Sequence, residues 1–198
     1  MNKLLFFAYY FPPIHSVACS RSFHIARYLA GKHAEHTIYT TSNQSLFPVD
    51  ASYDLTALHI EHFPTSDYRT FAARRQDASL HHSEVKKRNL LVRVLLAIND
   101  AMPFSLLFGE GGLRYLLHGY RRGCSVLAGG DGLVFTSYRT ASDVPIGFLL
   151  KRKFPGICWM VDFQDLPVNV NRLKVIPDAV QWFFWRFLLQ KADQVSTV

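Results

Sequence analysis

The first forty residues constrain the fold of this chain more than any other segment. An apolar run at 4–10 is followed by Pro12-Pro13, an amphipathic helical pattern at 21–30 and a second strand pattern, rich in β-branched residues, at 36–41. Strand, helix and strand in this order predict a parallel βαβ unit. Its loop and helix N-terminus then lie at the carboxyl end of the first strand. In open α/β sheets this edge binds ligands, and phosphates in particular.

The same alternation continues to the end of the chain. Ser20 is placed to cap the first helix, and Gly31 to end it. Further strands are predicted at 58–63, 132–137, 157–163 and 194–198, and further helices are predicted at 142–153 and from Pro177. This pattern predicts an α/β fold with a doubly wound, mostly parallel Rossmann-like sheet.

One domain accounts for the whole length. At 198 residues and 49% hydrophobic content, the chain has enough apolar surface for one sizeable core. We expect residues 1–198 to form a single domain. Within it, the segment at about 64–125 is polar and basic at first and then helical, and we expect it to be a helical insertion between the third and fourth strands.

Charge and cysteine content indicate which class of partner and which cellular compartment suit this chain. The net charge of +7 favours an anionic partner. Cys19, Cys124 and Cys158 form no CxxC pair, which fits a reducing cytosol. No apolar run reaches the ~20 residues of a membrane span. Lys3 and the run after it are also similar to a short signal peptide, but Pro12-Pro13 interrupts that run, and we expect a cytoplasmic protein.

Several segments, taken in order, carry a family resemblance. They are the turn YFPP at 10–13, the segment from Ser20-Arg21 to the threonine-rich strand end at 41, the strand VFTS at 134–137, the segment WMVDFQDLP at 159–167 and the terminal ADQVSTV at 192–198. Together they resemble the N-terminal half of GT-B fold glycosyltransferases of family 4. The loop at 15–19 departs from that pattern, because it reads HSVAC where the family usually carries glycines.

The resemblance implies a function and a set of partners. It implies an acceptor-side domain that serves transfer of a sugar from a nucleotide-sugar donor to a lipid-linked or cell-surface polysaccharide precursor, with no metal or other cofactor. In the family a second domain holds the donor. We expect that domain to be absent from residues 1–198 and this segment alone to be inactive.

Two loops supply candidate phosphate ligands. His15, Ser16 and Arg21 surround the start of the first helix, where a guanidinium and backbone N–H groups both favour an anion. Ser137 and Arg139 follow the fourth strand at the same edge. The alternatives are that Arg21 is a surface charge on a first turn and that the segment after the fourth strand is an ordinary turn.

Two carboxylates at the end of the fifth strand are the candidate catalytic residues. Asp162 and Asp165 lie three residues apart at a strand-to-loop transition. A carboxylate there is suited to bind a sugar hydroxyl of the acceptor, and we favour Asp165 for this role. The alternative is that either aspartate caps the loop by bonding to nearby backbone.

Other ligand classes receive less support from the sequence. The nine histidines include no pair spaced i, i+4 on a helix, so no metal site is expected. No basic stripe with interleaved aromatic residues indicates a nucleic-acid partner. Segments 86–98 and 106–122 suit an anionic membrane surface on the inner face of the cell membrane, or a helix pair packed on the sheet. The aromatic run at 182–187 allows the same two interpretations and favours burial, against a further domain.

A non-catalytic function stays open beside the transferase. A chain without a donor site would act as a partner-dependent Rossmann-like binding subunit. The presence or absence of a donor-binding half, fused or separate, distinguishes the two.

Overall fold

A computed structural model describes residues 3–66, 101, 103–168 and 176–197. Within these residues six strands form one all-parallel sheet in the order β3-β2-β1-β4-β5-β6. The strands are β1 Lys3–Phe7, β2 Glu35–Thr41, β3 Ile60–Phe63, β4 Leu133–Tyr138, β5 Cys158–Phe163 and β6 Gln194–Thr197. The described helices are α1 Val17–Ala30, α2 Ser105–Phe108, α3 Gly112–Val126, α4 Asp143–Lys153 and α5 Asp178–Leu189, with a 3-10 turn at Gln44–Leu46.

Helices cover both faces of the sheet, which confirms the predicted doubly wound, Rossmann-like α/β fold. The central strand β1 is buried on both faces, because its alternate residues belong to two separate hydrophobic clusters. Leu5 and Phe7 face the cluster that holds the buried residues of α3, α4 and α5. Leu4 and Phe6 face the cluster formed with α1. A strand buried on both faces is continuously apolar, as the opening sequence is.

The first helix begins one turn earlier than its sequence pattern indicated. Ser16, not Ser20, is the N-cap: its backbone is extended, and its Oγ accepts a hydrogen bond from the Cys19 N–H at 3.1 Å. The N–H of Ser20 is already bonded to the Ser16 carbonyl. The small residues at 16–20 therefore belong to the first turn rather than to a loop. The predicted end at Gly31 is confirmed.

The predicted helical insertion lies only partly within the described residues. Segment 86–98 falls outside them. Segment 106–122 forms α2 and α3, separated at Gly111 and Gly112, whose φ angles of 88° and 61° favour glycine. The inner side of α3, with Tyr115 buried, packs on the sheet. Among the described residues, no helix combines the length and the apolar character needed to cross a bilayer.

The aromatic helix α5 is buried on one side only. Trp185 and Leu188 lie in the core, whereas Trp182, Phe183 and Phe187 are exposed. The pattern of the helix did not distinguish these sides, because the segment is apolar nearly all round.

The contact of α4 with β5 gives a first prediction. A Cβ on Gly147 would lie 2.1 Å from Nε1 of the buried Trp159, which donates to Thr136 Oγ1 at 3.0 Å. Gly147→Ala is therefore expected to lower the free energy of unfolding by about 1–3 kcal/mol. Urea unfolding would measure it, with the exposed Gly129→Ala as control, since a Cβ there meets nothing closer than 3.8 Å. An equal effect of the two changes would contradict the packing.

Candidate functional site

The candidate site lies at the carboxyl edge of the sheet, between β1 and β4. After β1 the chain passes through α1 to β2 on one side, and after β4 it passes through α4 to β5 on the other. Adjacent strands whose connections diverge in this way leave a crevice at their carboxyl ends. The N-terminus of α1 and the residues after β4 and β5 border that crevice.

Arg21, predicted as a phosphate ligand, and Asp162, predicted as a catalytic residue, are bound to each other. Arg21 Nε donates to Asp162 Oδ2 at 2.9 Å, and Nη2 donates to Oδ1 at 2.6 Å. Asp162 is fully buried and also accepts a hydrogen bond from Ser196 Oγ at 2.6 Å. Burial alone would raise the pKa of Asp162, but the hydrogen bonds from Arg21 and Ser196 outweigh it and lower that pKa. This pair joins α1 to β5 and β6.

Ser137 takes part in a second internal network. Its Oγ lies 3.1 Å from Ser22 Oγ, and Gln164 Nε2 donates to both hydroxyls, at 2.6 Å and 2.9 Å. Ser137 is almost completely buried, so its hydroxyl serves the junction of α1, β4 and β5. Sequence reasoning missed Gln164. The available signal was its position immediately after a buried strand, between two aspartates.

Arg139 and Asp165 form the exposed part of the site. They are joined by an ion pair between Arg139 Nη1 and Asp165 Oδ2, with side chains 48% and 55% exposed. The guanidinium carbon also lies 5.9 Å from the centre of the Tyr10 ring. An ion pair this exposed adds little stability, so a ligand anion can displace the carboxylate at small cost.

The start of α1 brings further groups to the same edge. His15 is exposed, and its Nδ1 lies 3.4 Å from Asp50 Oδ2. The pKa of Asp50 is lowered, chiefly by hydrogen bonds from Ser52. Ser16 Oγ also donates to Cys19 Sγ at 3.0 Å. Burial raises the pKa of Cys19 to about 11, although the charge of Arg139 opposes the shift. Cys19 is thus a protonated thiol, and Arg139 lies close enough to the helix start to influence it.

Beneath the crevice lies a carboxyl group that sequence reasoning did not single out for the site. Asp143, fully buried, accepts hydrogen bonds from the Tyr9 N–H at 3.0 Å, from Tyr115 Oη at 2.8 Å and from Thr140 Oγ1 at 3.1 Å. Burial raises its pKa to about 7, against these hydrogen bonds. Asp143 thereby holds together the segments that follow β1 and β4.

Two further observations concern ligands. Among the described residues, no group of three or more histidine, cysteine or acidic side chains is placed to hold a metal ion. A cavity of about 330 Å³ lies at the opposite, amino edge of the sheet, with Lys3, Glu35, His36 and His59 in its lining. No residue predicted as a ligand lies there.

Comparison with protein-family models, with curated proteins and with solved structures finds no match for this chain. The fold and the geometry of this edge are therefore the observations that bear on function.

Proposed function

We propose that this chain is the acceptor-side domain of a GT-B-like glycosyltransferase. The supporting observation is that Arg139, Asp165 and the N-terminus of α1 lie together at the carboxyl edge of the sheet. A guanidinium beside a helix N-terminus suits a phosphate. A neighbouring exposed carboxylate suits a sugar hydroxyl. Of these residues, Asp165 lies within a segment that resembles family 4, and Arg139 follows another such segment by two residues.

In this proposal the acceptor is a lipid-linked or cell-surface saccharide precursor that carries a phosphate. The phosphate is bound by Arg139, Ser16 and His15. The Asp165 carboxylate then leaves Arg139 and accepts a hydrogen bond from a hydroxyl of the acceptor. The bond from C1 of the donor sugar to the nucleotide diphosphate breaks and the diphosphate leaves with the bonding electron pair. The acceptor oxygen bonds to C1, and its hydroxyl proton passes to the Asp165 carboxylate. A donor-binding domain is required for the nucleotide sugar. Arg21 and Asp162 act by holding α1 on β5.

We further propose that the protein works in the cytoplasm, at the inner face of the cell membrane. The cysteines Cys19, Cys124 and Cys158 are free thiols, which fits a reducing compartment. Nucleic acid is not among the proposed partners.

The binding of a phosphorylated probe tests these roles. Titration calorimetry of the chain with geranyl diphosphate is expected to show binding that Arg139→Ala weakens at least tenfold, because a hydrogen bond to a charged group contributes about 1.5–3 kcal/mol. Asp165→Asn is expected to strengthen it, since Arg139 loses its competing anion. Arg152→Ala, exposed at the far end of α4, is the matched control. Equal affinities in all four proteins would refute the assignment.

A non-catalytic binding subunit is the second candidate. It is favoured by one observation: the two predicted acids are each paired with an arginine, Asp162 with Arg21 and Asp165 with Arg139. Such a subunit would bind the same probe. Unlike a transferase domain, it would give no sugar transfer when combined with a donor-binding partner and a nucleotide sugar.

A further inference from the structure

The outer side of α3 combines exposed leucines with exposed cations. Leu113 and Leu117, one turn apart, are 43% and 40% exposed. Arg114, His118 and Arg121 are exposed beside them. The sequence of α3 contains no aspartate or glutamate. Exposed leucines on a helix whose other side is already in the core need a separate explanation.

The preceding segment, whose helix α2 contacts α3, exposes apolar side chains as well. Phe104 is 40% exposed, and Leu107 of α2 is 43% exposed. Arg122 lies at the margin and is neutralised by Glu61, with Nη2 and Oε1 2.7 Å apart. We call the surface formed by Phe104, Leu107, Leu113, Arg114, Leu117 and Arg121 the α2–α3 face.

We propose that the α2–α3 face binds an anionic lipid leaflet. Leucine and phenylalanine side chains would enter the boundary between headgroups and acyl chains, while Arg114 and Arg121 contact lipid phosphates. A purely acidic protein partner would pair with the arginines but would offer the leucines no apolar surface to contact. An anionic leaflet matches both kinds of side chain, because its acyl chains contact the apolar residues and its headgroups pair with the cations.

The position of the face relates it to the candidate site. α3 begins at the carboxyl edge, where Ser142 Oγ donates to the Glu110 carbonyl at 2.9 Å just before α4. Binding through the α2–α3 face would therefore hold the crevice beside the leaflet, where a lipid-linked acceptor is presented. Only this orientation argument rests on the proposed function.

Vesicle sedimentation tests the inference without any sugar substrate. The chain is expected to sediment with vesicles of phosphatidylglycerol and phosphatidylcholine, and far less with phosphatidylcholine alone. The pairs Leu113→Ser/Leu117→Ser and Arg114→Glu/Arg121→Glu should each reduce the partition coefficient roughly tenfold or more. The control Arg27→Glu/Tyr28→Ser alters exposed residues of α1, on the other face of the sheet. Circular dichroism would verify that every variant is folded.

Several results would overturn the inference. These are no preference for the anionic vesicles, unchanged binding of both α3 variants, or loss of binding in Phe183→Ser/Phe187→Ser, which would assign the contact to α5. A dimer in gel filtration that the leucine variant dissociates, without vesicle binding, would assign the face to a second copy. Vesicle binding without geranyl diphosphate binding would refute the proposed acceptor site and leave this inference standing.

Discussion

Replacing Asp143 by alanine is expected to lower the free energy of unfolding by about 3–5 kcal/mol. Three buried donors, on Tyr9, Tyr115 and Thr140, would lose their acceptor, and each such loss costs about 1–3 kcal/mol. Asp143→Asn should cost much less, because its carbonyl oxygen can accept from the Tyr9 N–H while its amide donates to Tyr115 Oη. Urea unfolding at pH 6 would compare the two variants.

The same carboxyl group predicts a pH dependence of stability. Its pKa is about 7 in the folded chain against an ordinary value of 3.8, so the folded state binds the proton more tightly. The resulting stabilisation is complete below pH 3.8, declines as the pH rises and is lost above about 7. Asp143→Asn should remove this slope. The exposed Asp131→Asn, as control, should keep it, and an unchanged slope in Asp143→Asn would contradict the account.

Breaking the Arg21–Asp162 pair is expected to have an effect of similar size. Arg21→Met would leave the fully buried Asp162 carboxylate without its cation, at a cost of about 3–5 kcal/mol. The double variant Arg21→Met/Asp162→Asn should recover part of that loss, since no buried charge remains. Urea unfolding of both single variants and the double variant completes a double-mutant cycle.

A matched pair on the surface provides the control for this cycle. Arg122 also binds a carboxylate through two nitrogens, at 3.0 Å and 2.7 Å from Glu61, but it is half exposed. Arg122→Met should cost at most about 1 kcal/mol. If Arg21→Met cost no more than this, Asp162 would not depend on Arg21, and Arg21 would again be a candidate phosphate ligand.

Because the pKa of Asp162 is lowered, the contribution of the pair is expected to be present above pH 3.8 and lost as the pH falls through the lowered pKa.

The sequence was most informative about the strands. Predicted segments 36–41, 157–163 and 194–198 correspond within one residue to β2, β5 and β6. Segments rich in apolar and β-branched residues that alternate with helical patterns predict the strands of such a sheet. The start of α1 was misplaced because two serines, Ser16 and Ser20, satisfy the same capping rule. Only the backbone conformation distinguishes them.

The site was predictable by position but not by pairing. The expectation that His15, Arg139 and Asp165 lie near one edge follows from parallel topology alone. The bond between Arg21 and Asp162 joins residues 141 positions apart, and no local pattern specifies it. Asp143 was likewise not predicted, because burial of its carboxyl group depends on Tyr9 and Tyr115 from distant segments.

The central claim is that the carboxyl edge beside β1 and β4 holds a phosphorylated acceptor. The most direct test is a ¹H–¹⁵N NMR titration of the labelled chain with geranyl diphosphate, and separately with a nucleotide sugar. The account predicts that geranyl diphosphate shifts the backbone amides of residues 16–19 and 138–140, and that the nucleotide sugar alone leaves them unchanged. Shifts confined to the amino-edge cavity around His36 and His59, or no shifts with geranyl diphosphate, would contradict it.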